Sequence, residues 1–375
     1  MTGRPLRILH VLRAPVGGLF RHVADLAEAE AGHGHAVGLV LDSTTGGAEA
    51  ERALQRLVPA AALGIHRVPM SRHLGLSDFN AVRLVERLAR EKNADIVHGH
   101  GAKGGAYARL ARAGALRVYT PHGGSLHYPA ASPLGLLYLN LERLLARRTD
   151  LFLFESEFGR RAFGEKIGAP RAAARVVHNG VRPDELVAIA PDRDAADVVF
   201  VGELRRLKGV DVLIEALSRL LAGERIESAI LFGDGPDAGA YRAEIGRRGL
   251  SSHIQFGGSK PAREAFKRGR VLAVPSRAES LPYIVLEAAA AAMPMVATRV
   301  GGMAEIFGPD ATALVPPEDP AALAEALLRT LEGDGAVRTK RLRERVARQF
   351  TVAAMTEGVL AAYREALAAR VPAHG

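Results

Sequence analysis

The chain has 375 residues, of which 48 % are hydrophobic and 24 % charged, with no cysteine and a formal net charge of +9 at pH 7. This composition is typical of a globular protein long enough for two domains. The lack of cysteine excludes disulfides and thiolate metal sites and favours a cytoplasmic location. No apolar run is long enough to predict a membrane span.

The positive charge is concentrated in the first half of the chain. Residues 1–190 hold 25 Lys and Arg against 17 Asp and Glu, whereas residues 191–375 hold 25 against 24. This asymmetry suggests that the first half meets an anionic partner, such as a lipid surface or a phosphorylated substrate. The alternative is that arginine serves as a general solubilising residue. Nucleic acid is disfavoured as a partner, because only 5 % of residues are aromatic and no aromatic-and-basic recognition element stands out.

Short strand-like runs alternate with helical patterns along the whole chain. In the first half the predicted strands are RILHVL, HAVGLVL, IHRVPM, DIVHGH, RVYT, LFLFE and RVVHNG. The first of these is too short, and too interrupted by His10 and Arg13, for a signal peptide. Repeated strand–helix–strand units predict a parallel sheet that is covered on both faces.

Residues 179–197 lack periodicity and predict a linker, after which the alternation resumes with DVVFVGE, SAILFGD, HIQFGG, VLAVPS and MVATRV. The sequence therefore predicts an α/β fold with two doubly wound, Rossmann-like domains, residues 1–185 and 186–350. A C-terminal helix, residues 351–375, is expected to pack back on the first domain. In such sheets ligands bind at the carboxyl ends of the strands, so the strand-to-helix junctions are the candidate sites.

Two junctions are suited to binding phosphate. Gly17 and Gly18 stand between the first strand and a helix, where a ligand could approach the backbone amides, although a tight turn would also use two glycines. After the strand that ends in VGE, Arg205, Arg206 and Lys208 precede another helix. Basic side chains at that place would clamp a diphosphate, and a solvated charged loop is the alternative.

A third junction, LFGDGPDAG, has Gly233 directly after a strand. Its glycine spacing departs from the dinucleotide fingerprint and no acidic residue ends the next strand, so NAD binding is disfavoured. A turn that lines a nucleotide base or ribose is the remaining interpretation. Asp192 and Asp194 form a D-x-D pattern, but they lie in the predicted linker and are interpreted as a solvated turn.

Histidines follow two neighbouring strands of the predicted sheet. His98 and His100 end one strand, and His122 and His127 come after the next. They could ligate a metal ion, but neither loop supplies the carboxylate of a catalytic zinc set, so contacts to a hydroxylated substrate are favoured. His122 is the best placed for such a contact, whereas His98 is more consistent with a core residue.

The stretch ESLPYIVLE places Glu279 before an apolar helix and Glu287 inside it. Pro282 is suited to the first helical position after a cap near Ser280. An ionised Glu287 among apolar neighbours would be costly without partners, and so it requires a polyhydroxy ligand or a cation. A helix turned to leave Glu287 in solvent is the alternative.

Together these motifs resemble those of the family 4 retaining glycosyltransferases, which have the two-domain GT-B architecture. ESLPYIVLEAAAAAMPMVATRVGGMAEI matches the family's pattern of two glutamates separated by seven residues, a small-residue helix, a strand and a Gly-Gly turn. VGELRRLKGVDVLIEAL, LFGDGPD, TPHG and VHNGV fall in the family's order and spacing. The resemblance implies retaining transfer of a sugar from a nucleoside-diphosphate sugar to a glycan or lipid-linked acceptor in polysaccharide synthesis, with neither a metal nor another cofactor.

The resemblance also implies roles for single residues. Glu279 and His122 would face the donor sugar, Lys208 would neutralise the phosphates in the transition state, and Glu287 would bind the ribose hydroxyls. The implied donor-binding set is Gly17, Gly18, Arg205, Arg206, Lys208, Gly233, Ser280, Leu281 and Glu287. In this architecture the first domain holds the acceptor, which gives its positive charge a purpose.

A membrane surface is a further expected partner of the first domain. The basic residues Arg143, Arg147 and Arg148 lie on the predicted helix LGLLYLNLERLLARR, most of whose leucines are expected in the core. They suggest peripheral contact with anionic lipid at the inner face of the membrane.

One residue departs from the family's pattern. Where the family usually carries an arginine in the clamp motif, this chain has Glu203, and we hypothesise that Arg206 takes over that arginine's role. Two alternatives to a transferase remain open. One is a sugar-nucleotide epimerase of the same fold, although such epimerases do not show the Glu-to-Glu helix, and the other is a non-catalytic nucleotide-sugar-binding protein.

Overall fold

The computed structural model of the protein describes residues 4–71, 75–123 and 132–370. The chain forms two compact units, Met1–Asn179 with Val352–Gly375 and Gly180–Thr351. The chain leaves the first unit after Asn179, six residues before the expected boundary at 185. Val181 already belongs to the second unit, since it donates its N–H to the carbonyl of Phe350 and pairs with Thr351.

The first unit contains seven strands, all parallel. They are β1 (Arg7–Val11), β2 (Ala36–Asp42), β3 (Gly64–Val68), β4 (Ile96–His100), β5 (Leu116–Thr120), β6 (Leu151–Phe154) and β7 (Ala173–Val176). Its helices are α1 (Gly17–Gly32), α2 (Gly47–Leu57), α3 (Leu76–Glu91), α4 (Gly101–Leu110), α5 (Pro133–Ala146) and α6 (Glu157–Lys166), with α14 (Val352–Arg370) returning from the end of the chain. The order of strands in the sheet is β3-β2-β1-β4-β5-β6-β7.

The last helix, α14, completes the core of the first unit. Leu360 and Tyr363 of this helix are buried together with Ile8, Ile96 and Val118 of the central strands. The strands read as continuous apolar runs because helices cover both faces of a parallel sheet.

The second unit contains five strands, again all parallel. They are β8 (Ala196–Val201), β9 (Ala229–Phe232), β10 (Ile254–Gly258), β11 (Gly269–Val274) and β12 (Met295–Ala297). Its helices are α7 (Val210–Ala222), α8 (Ala238–Arg247), α9 (Ala262–Phe266), α10 (Tyr283–Ala290), α11 (Met303–Phe307), α12 (Pro320–Leu331) and α13 (Ala336–Gln349). The order of strands is β10-β9-β8-β11-β12, so the two predicted parallel-sheet α/β domains are confirmed.

Each sheet has one point at which the strand order reverses. In the first sheet this point lies between β1 and β4, and in the second between β8 and β11. The connections on either side of such a point leave in opposite directions and open a crevice at the carboxyl ends of the strands, where ligands bind. Among the described residues, no helix combines the length and apolarity that a bilayer span requires.

Candidate active site

A lysine and a glutamate meet at the switch point of the second unit. Lys208 lies in a short 3-10 turn after β8, and Glu279 lies in the loop after β11. Lys208 Nζ donates to Glu279 Oε1 at 2.6 Å, and Ser276 Oγ donates to the same oxygen at 2.7 Å. The side chains of Lys208 and Glu279 are 26 % and 10 % exposed. The fold therefore joins two predicted site residues that are 71 positions apart.

The loops around this pair approach so closely that only glycine fits at two positions. Gly209 has φ +69°, and a Cβ atom there would lie 2.0 Å from the carbonyl oxygen of Pro275. Gly301 has φ +56°, and its Cβ would lie 2.0 Å from the carbonyl oxygen of Glu279. Both positions combine a left-handed backbone with no room for a side chain, which explains the glycines on steric grounds.

Arg277, to which no sequence motif points, braces the same two loops. Its guanidinium donates to both carboxylate oxygens of Asp211, at 2.7 and 2.8 Å, and to the carbonyl of Arg206 at 2.6 Å. It also donates to Glu318 at 2.8 Å. Burial alone would raise the pKa of Asp211, but the hydrogen bonds from Arg277 hold it below its ordinary value. An arginine just after a strand and an aspartate in the first turn of a helix were the only sequence signals.

The helix α10 starts one residue later than expected. Pro282 is extended and occupies the N-cap position, and no side chain caps the helix, so the expectation that Pro282 is the first helical residue after a cap near Ser280 is wrong. The extended ψ of 127° keeps Pro282 out of the helix, and just before it the carbonyl of Ser280 accepts from Gly302 N–H at 2.7 Å. An uncapped helix start presents backbone N–H groups and the positive end of the dipole.

Glu287 lies on the less buried face of α10. Glu287 and Ile284, one turn apart, are both partly exposed, whereas Val285, Leu286 and Ala288 are buried. The helix is therefore apolar on most sides, with its single carboxylate on the face that a ligand could reach.

The two arginines of the predicted clamp differ in their partners. Arg205 pairs with Glu203 at 3.3 Å. Arg206 is exposed, and within the described part of the chain its guanidinium makes neither a hydrogen bond nor an ion pair. Nearby, Gly233 has φ +133°, and a Cβ atom there would lie 1.9 Å from the carbonyl oxygen of Gly202. The loops after β8 and β9 are thus in direct contact.

In the first unit, Gly17 opens the helix α1 rather than preceding it. Gly17 has φ +71° and is the first helical residue, and Gly18 is the second. The N-cap residue Val16 makes no side-chain cap, and a Cβ atom at Gly17 would contact nothing within 4 Å. The left-handed φ, rather than crowding, explains this glycine.

His122 lies just beyond β5, in a strained backbone conformation with φ +51°. Its Nε2 lies 3.2 Å from His100 Nδ1, and its Nδ1 lies 3.6 Å from Glu155 Oε2. Burial lowers the pKa of His122 to about 3, so its ring is neutral at physiological pH. A left-handed non-glycine residue at a strand end is a common mark of a functional site.

The remaining histidines and the D-x-D pattern have structural partners. His98 is fully buried, with its ring nitrogens 2.7 Å from Tyr363 Oη and 2.8 Å from Thr120 Oγ1, as expected for a core residue. His127 lies outside the described residues. Asp192 and Asp194 are exposed and pair with Arg268 at 3.5 and 3.0 Å, which fits a solvated turn.

Both halves of the chain match models of known glycosyltransferase families. The model of Glycosyltransferase Family 4 matches residues 16–185, and the model of Glycosyl transferases group 1 matches residues 195–333. The D-inositol 3-phosphate glycosyltransferase of Acidothermus cellulolyticus is 28 % identical over 349 residues, which cover 79 % of this chain and 72 % of that protein.

Two solved structures share the architecture. Sucrose-phosphate synthase from Thermosynechococcus elongatus superimposes with a TM-score of 0.80 at 21 % identity, covering 98 % of this chain and all of that one. Anabaena Alr3699/HepE in complex with UDP-glucose gives a TM-score of 0.78 at 21 % identity, covering 96 % and 100 %. The fold is therefore that of the GT-B glycosyltransferases. The chain itself is a glycosyltransferase, and its first half matches the family 4 model.

The brace formed by Arg277 predicts a measurable loss of stability. Replacing Arg277 with alanine removes the paired hydrogen bonds to Asp211, and we expect the free energy of unfolding to fall by about 1 to 3 kcal/mol in denaturant titrations at pH 7. The matched control is Arg329→Ala, which breaks an exposed helical pair with Glu325 and is expected to cost about 0.5 kcal/mol or less.

The stability difference also has a predicted pH dependence. Because the pKa of Asp211 is lowered in the folded protein, the contribution is present above the usual carboxyl pKa of about 4 and is lost as the pH falls through the lowered value. Equal losses for both variants, or a loss for Arg277→Ala that grows on acidification, would contradict the brace.

Proposed function

We propose that the protein is a retaining glycosyltransferase that moves a sugar from a nucleoside-diphosphate sugar to a glycan or lipid-linked acceptor in cell-surface polysaccharide synthesis. The observation that carries this proposal is the Lys208–Glu279 pair at the β8/β11 switch point, directly before the uncapped start of α10. A charged pair, a helix N-terminus and a partly exposed Glu287 together suit a ligand with both phosphates and hydroxyls.

Positive groups around this point match a diphosphate. An ammonium has three donors, and Glu279 takes one from Lys208, so two remain for phosphate oxygens. The backbone near Ser280 and Leu281 leads into the helix start, where N–H groups and the dipole favour an anion. Fixed donors of this kind stabilise the charge that develops on the leaving diphosphate, which in our proposal needs no metal.

Carboxylates on either side match the hydroxyls of a sugar and a ribose. Within the described residues, Glu279 Oε1 takes both hydrogen bonds from the protein, and Oε2 takes none. Oε2 is thus available to a hydroxyl of the donor sugar. Glu287 lies further along α10 on its accessible face and would accept hydrogen bonds from the ribose, with Gly233 in the neighbouring loop beside the base or ribose.

The relatives support the same donor class. The structure of Anabaena Alr3699/HepE contains UDP-glucose, and the Acidothermus relative is named a D-inositol 3-phosphate glycosyltransferase. Retention would follow if the departing phosphate takes the acceptor's proton on the face that it leaves. Gly17, Gly18 and His122 of the first unit would serve the phosphate and the donor sugar in the roles that the family resemblance implies.

We further propose a cytoplasmic location with peripheral contact at the inner face of the membrane, and the exposed face of α5 supports this contact. Contrary to expectation, only two of its six described leucines, Leu139 and Leu145, are buried, whereas Leu136, Leu137 and Leu144 are 49 %, 53 % and 58 % exposed. Arg143 and Arg147 are exposed beside them at helical spacing. A leucine-and-arginine face of this kind suits an anionic bilayer surface, where the leucines enter the interface and the arginines meet lipid phosphates.

Acceptor-dependent release of nucleoside diphosphate tests the proposed activity. The full chain is first screened by thermal shift against UDP-, GDP- and ADP-sugars, because a ligand at about 100 times its Kd adds about 2.7 kcal/mol of stability. The stabilising donor is then incubated with and without glycan and lipid-linked acceptors. We expect release of nucleoside diphosphate only with acceptor. Conversion of the donor without acceptor would indicate an epimerase, and binding without any turnover a non-catalytic protein.

The clamp arginines give a second prediction. Arg206→Ala should weaken donor binding about tenfold, because a free guanidinium forms charge-assisted hydrogen bonds to phosphate, whereas Arg205→Ala should change it little. Glu203→Gln should strengthen binding about twofold to fivefold, since it removes a negative charge and releases Arg205. Calorimetric titration measures all three. An unchanged affinity for Arg206→Ala with a lost affinity for Arg205→Ala would reverse the assignment.

Sedimentation with anionic vesicles tests the membrane contact. At low salt the wild type should sediment with phosphatidylglycerol vesicles, and a Leu136→Ser, Leu144→Ser variant should bind at least about tenfold more weakly. The matched control is Val337→Ser, which removes an exposed apolar side chain from the second unit. No sedimentation of the wild type, or equal losses for both variants, would count against this surface.

A further inference from the structure

Five buried side chains form a row along the carboxyl ends of four neighbouring strands in the first unit. His10 lies in β1, His100 ends β4, His122 follows β5 and Glu155 follows β6, while Glu30 reaches the row from α1. We call these residues, Glu30, His10, His100, His122 and Glu155, the imidazole row. Four of them are at most 5 % exposed, and only His122 is partly exposed as a residue.

The contacts of the imidazole row are three hydrogen bonds followed by one longer gap. Glu30 Oε2 lies 2.8 Å from His10 Nε2, His10 Nδ1 lies 3.0 Å from His100 Nε2, and His100 Nδ1 lies 3.2 Å from His122 Nε2. The last contact, from His122 Nδ1 to Glu155 Oε2, is 3.6 Å, beyond hydrogen-bond length.

The proton count explains this pattern. A neutral imidazole has one ring proton, so three neutral rings supply protons for three hydrogen bonds. A carboxylate only accepts, and therefore Glu30 requires the proton of His10 on Nε2. His10 Nδ1 then accepts from His100 Nε2, and His100 Nδ1 accepts from His122 Nε2. This leaves His122 Nδ1 as a bare lone pair facing Glu155, which accounts for the longer gap.

We propose that the imidazole row is a proton relay that accepts a proton at His122 Nδ1 and stores the charge on His10, against the carboxylate of Glu30. When His122 Nδ1 gains a proton, its Nε2 proton passes to His100 Nδ1, and the Nε2 proton of His100 passes to His10 Nδ1. One proton enters, each ring changes tautomer or gains one proton, and the product is a His10 imidazolium beside Glu30. Reversal of the same steps returns the proton.

The surroundings of His22, His98, His100 and His122 favour their neutral rings. Burial, reinforced by neighbouring rings, lowers the pKa of His98 and His100 well below the usual value, and burial lowers that of His22 to about 3. His22 faces His122 at a ring distance of 4.8 Å and contacts Asn179 at 3.0 Å.

His98 adds no charge to the row, because its ring nitrogens contact the hydroxyls of Thr120 and Tyr363. Of the two carboxylates in the imidazole row, Glu30 lies within hydrogen-bond distance of a ring and Glu155 does not.

After the departing phosphate has taken the acceptor's proton, the relay gives that proton a further destination at His122 Nδ1, and in this respect it rests on the proposed function. His10, His100 and Glu30 are then positioning residues, because they set the tautomer of His122 and receive its proton without touching the substrate. The strained backbone of His122 is consistent with a ring held in one orientation against His100.

Histidine-selective ¹⁵N NMR of the full chain tests the relay without any substrate. At pH 8 we expect His10, His100 and His122 all as Nε2–H tautomers, assigned by single substitutions. On acidification the first imidazolium of the row should appear at His10, although His122 is nearer to solvent. A first imidazolium at His122, or an Nδ1–H tautomer of His122 at pH 8, would overturn the relay.

Two matched variants make the same chemical change at opposite ends of the row. Glu30→Gln should abolish the preferential protonation of His10, whereas Glu155→Gln should leave the Nε2–H tautomers in place. With a donor and acceptor identified, Glu30→Gln should lower kcat about tenfold or more, with little change in the KM for the donor. Equal spectra for Glu30→Gln and the wild type would overturn the proposal even if transfer is observed.

Metal analysis of the purified chain completes the test. His22, His100 and His122 bring ring nitrogens within 4.8 Å of one another, a spacing at which three histidines could hold a transition metal ion. The relay predicts that no stoichiometric zinc or cobalt remains after dialysis. A tightly bound ion that His100→Ala releases would overturn it, because the metal would occupy the nitrogens that link the rings.

Discussion

The candidate site of the second unit depends on the Arg277 guanidinium. Its paired hydrogen bonds to Asp211 and its contact with the carbonyl of Arg206 tie the loop after β11 to the loop after β8. Only when these loops are held together can Lys208 reach Glu279 across the switch point. Gly209 and Gly301 leave room for these loops to approach each other. The Arg277 brace and these two glycines together position the charged side chains of Lys208 and Glu279.

The helix that follows shows how a carboxylate can belong to an apolar segment. α10 buries most of its length in the core of the second unit, and Glu287 lies on its less buried face with Ile284. On that face the carboxylate could also accept hydrogen bonds from the hydroxyls of a ligand. The uncapped start of the same helix favours an anion, so one short element combines the two halves of nucleotide-sugar recognition that we propose.

Much of this arrangement could be predicted from the sequence, because it follows from local patterns. Strand-like runs that alternate with helical patterns predicted the two parallel sheets, and the positions of Lys208 and Glu279 after strands placed them at strand-to-helix junctions, where ligands bind. What could not be predicted depends on distant pairing. Arg277 meets Asp211 across 66 positions, and His10 joins His100 because β1 lies beside β4.

Finer local features also escaped prediction. α10 starts at Tyr283 because Pro282 is extended, and residue propensities alone, which suit proline to the first helical position, predicted the opposite. The exposed leucines of α5 had the spacing of a core helix, and only the packed structure shows which face is covered.

Hydrogen–deuterium exchange on the full chain, with and without the nucleoside-diphosphate sugar that it turns over, tests the central claim most directly. If the switch point of the second unit holds the donor, exchange should slow in the loop of residues 203–209 and in residues 279–290. A donor that is turned over but leaves both segments unprotected, while another part of the chain is protected, would contradict the account.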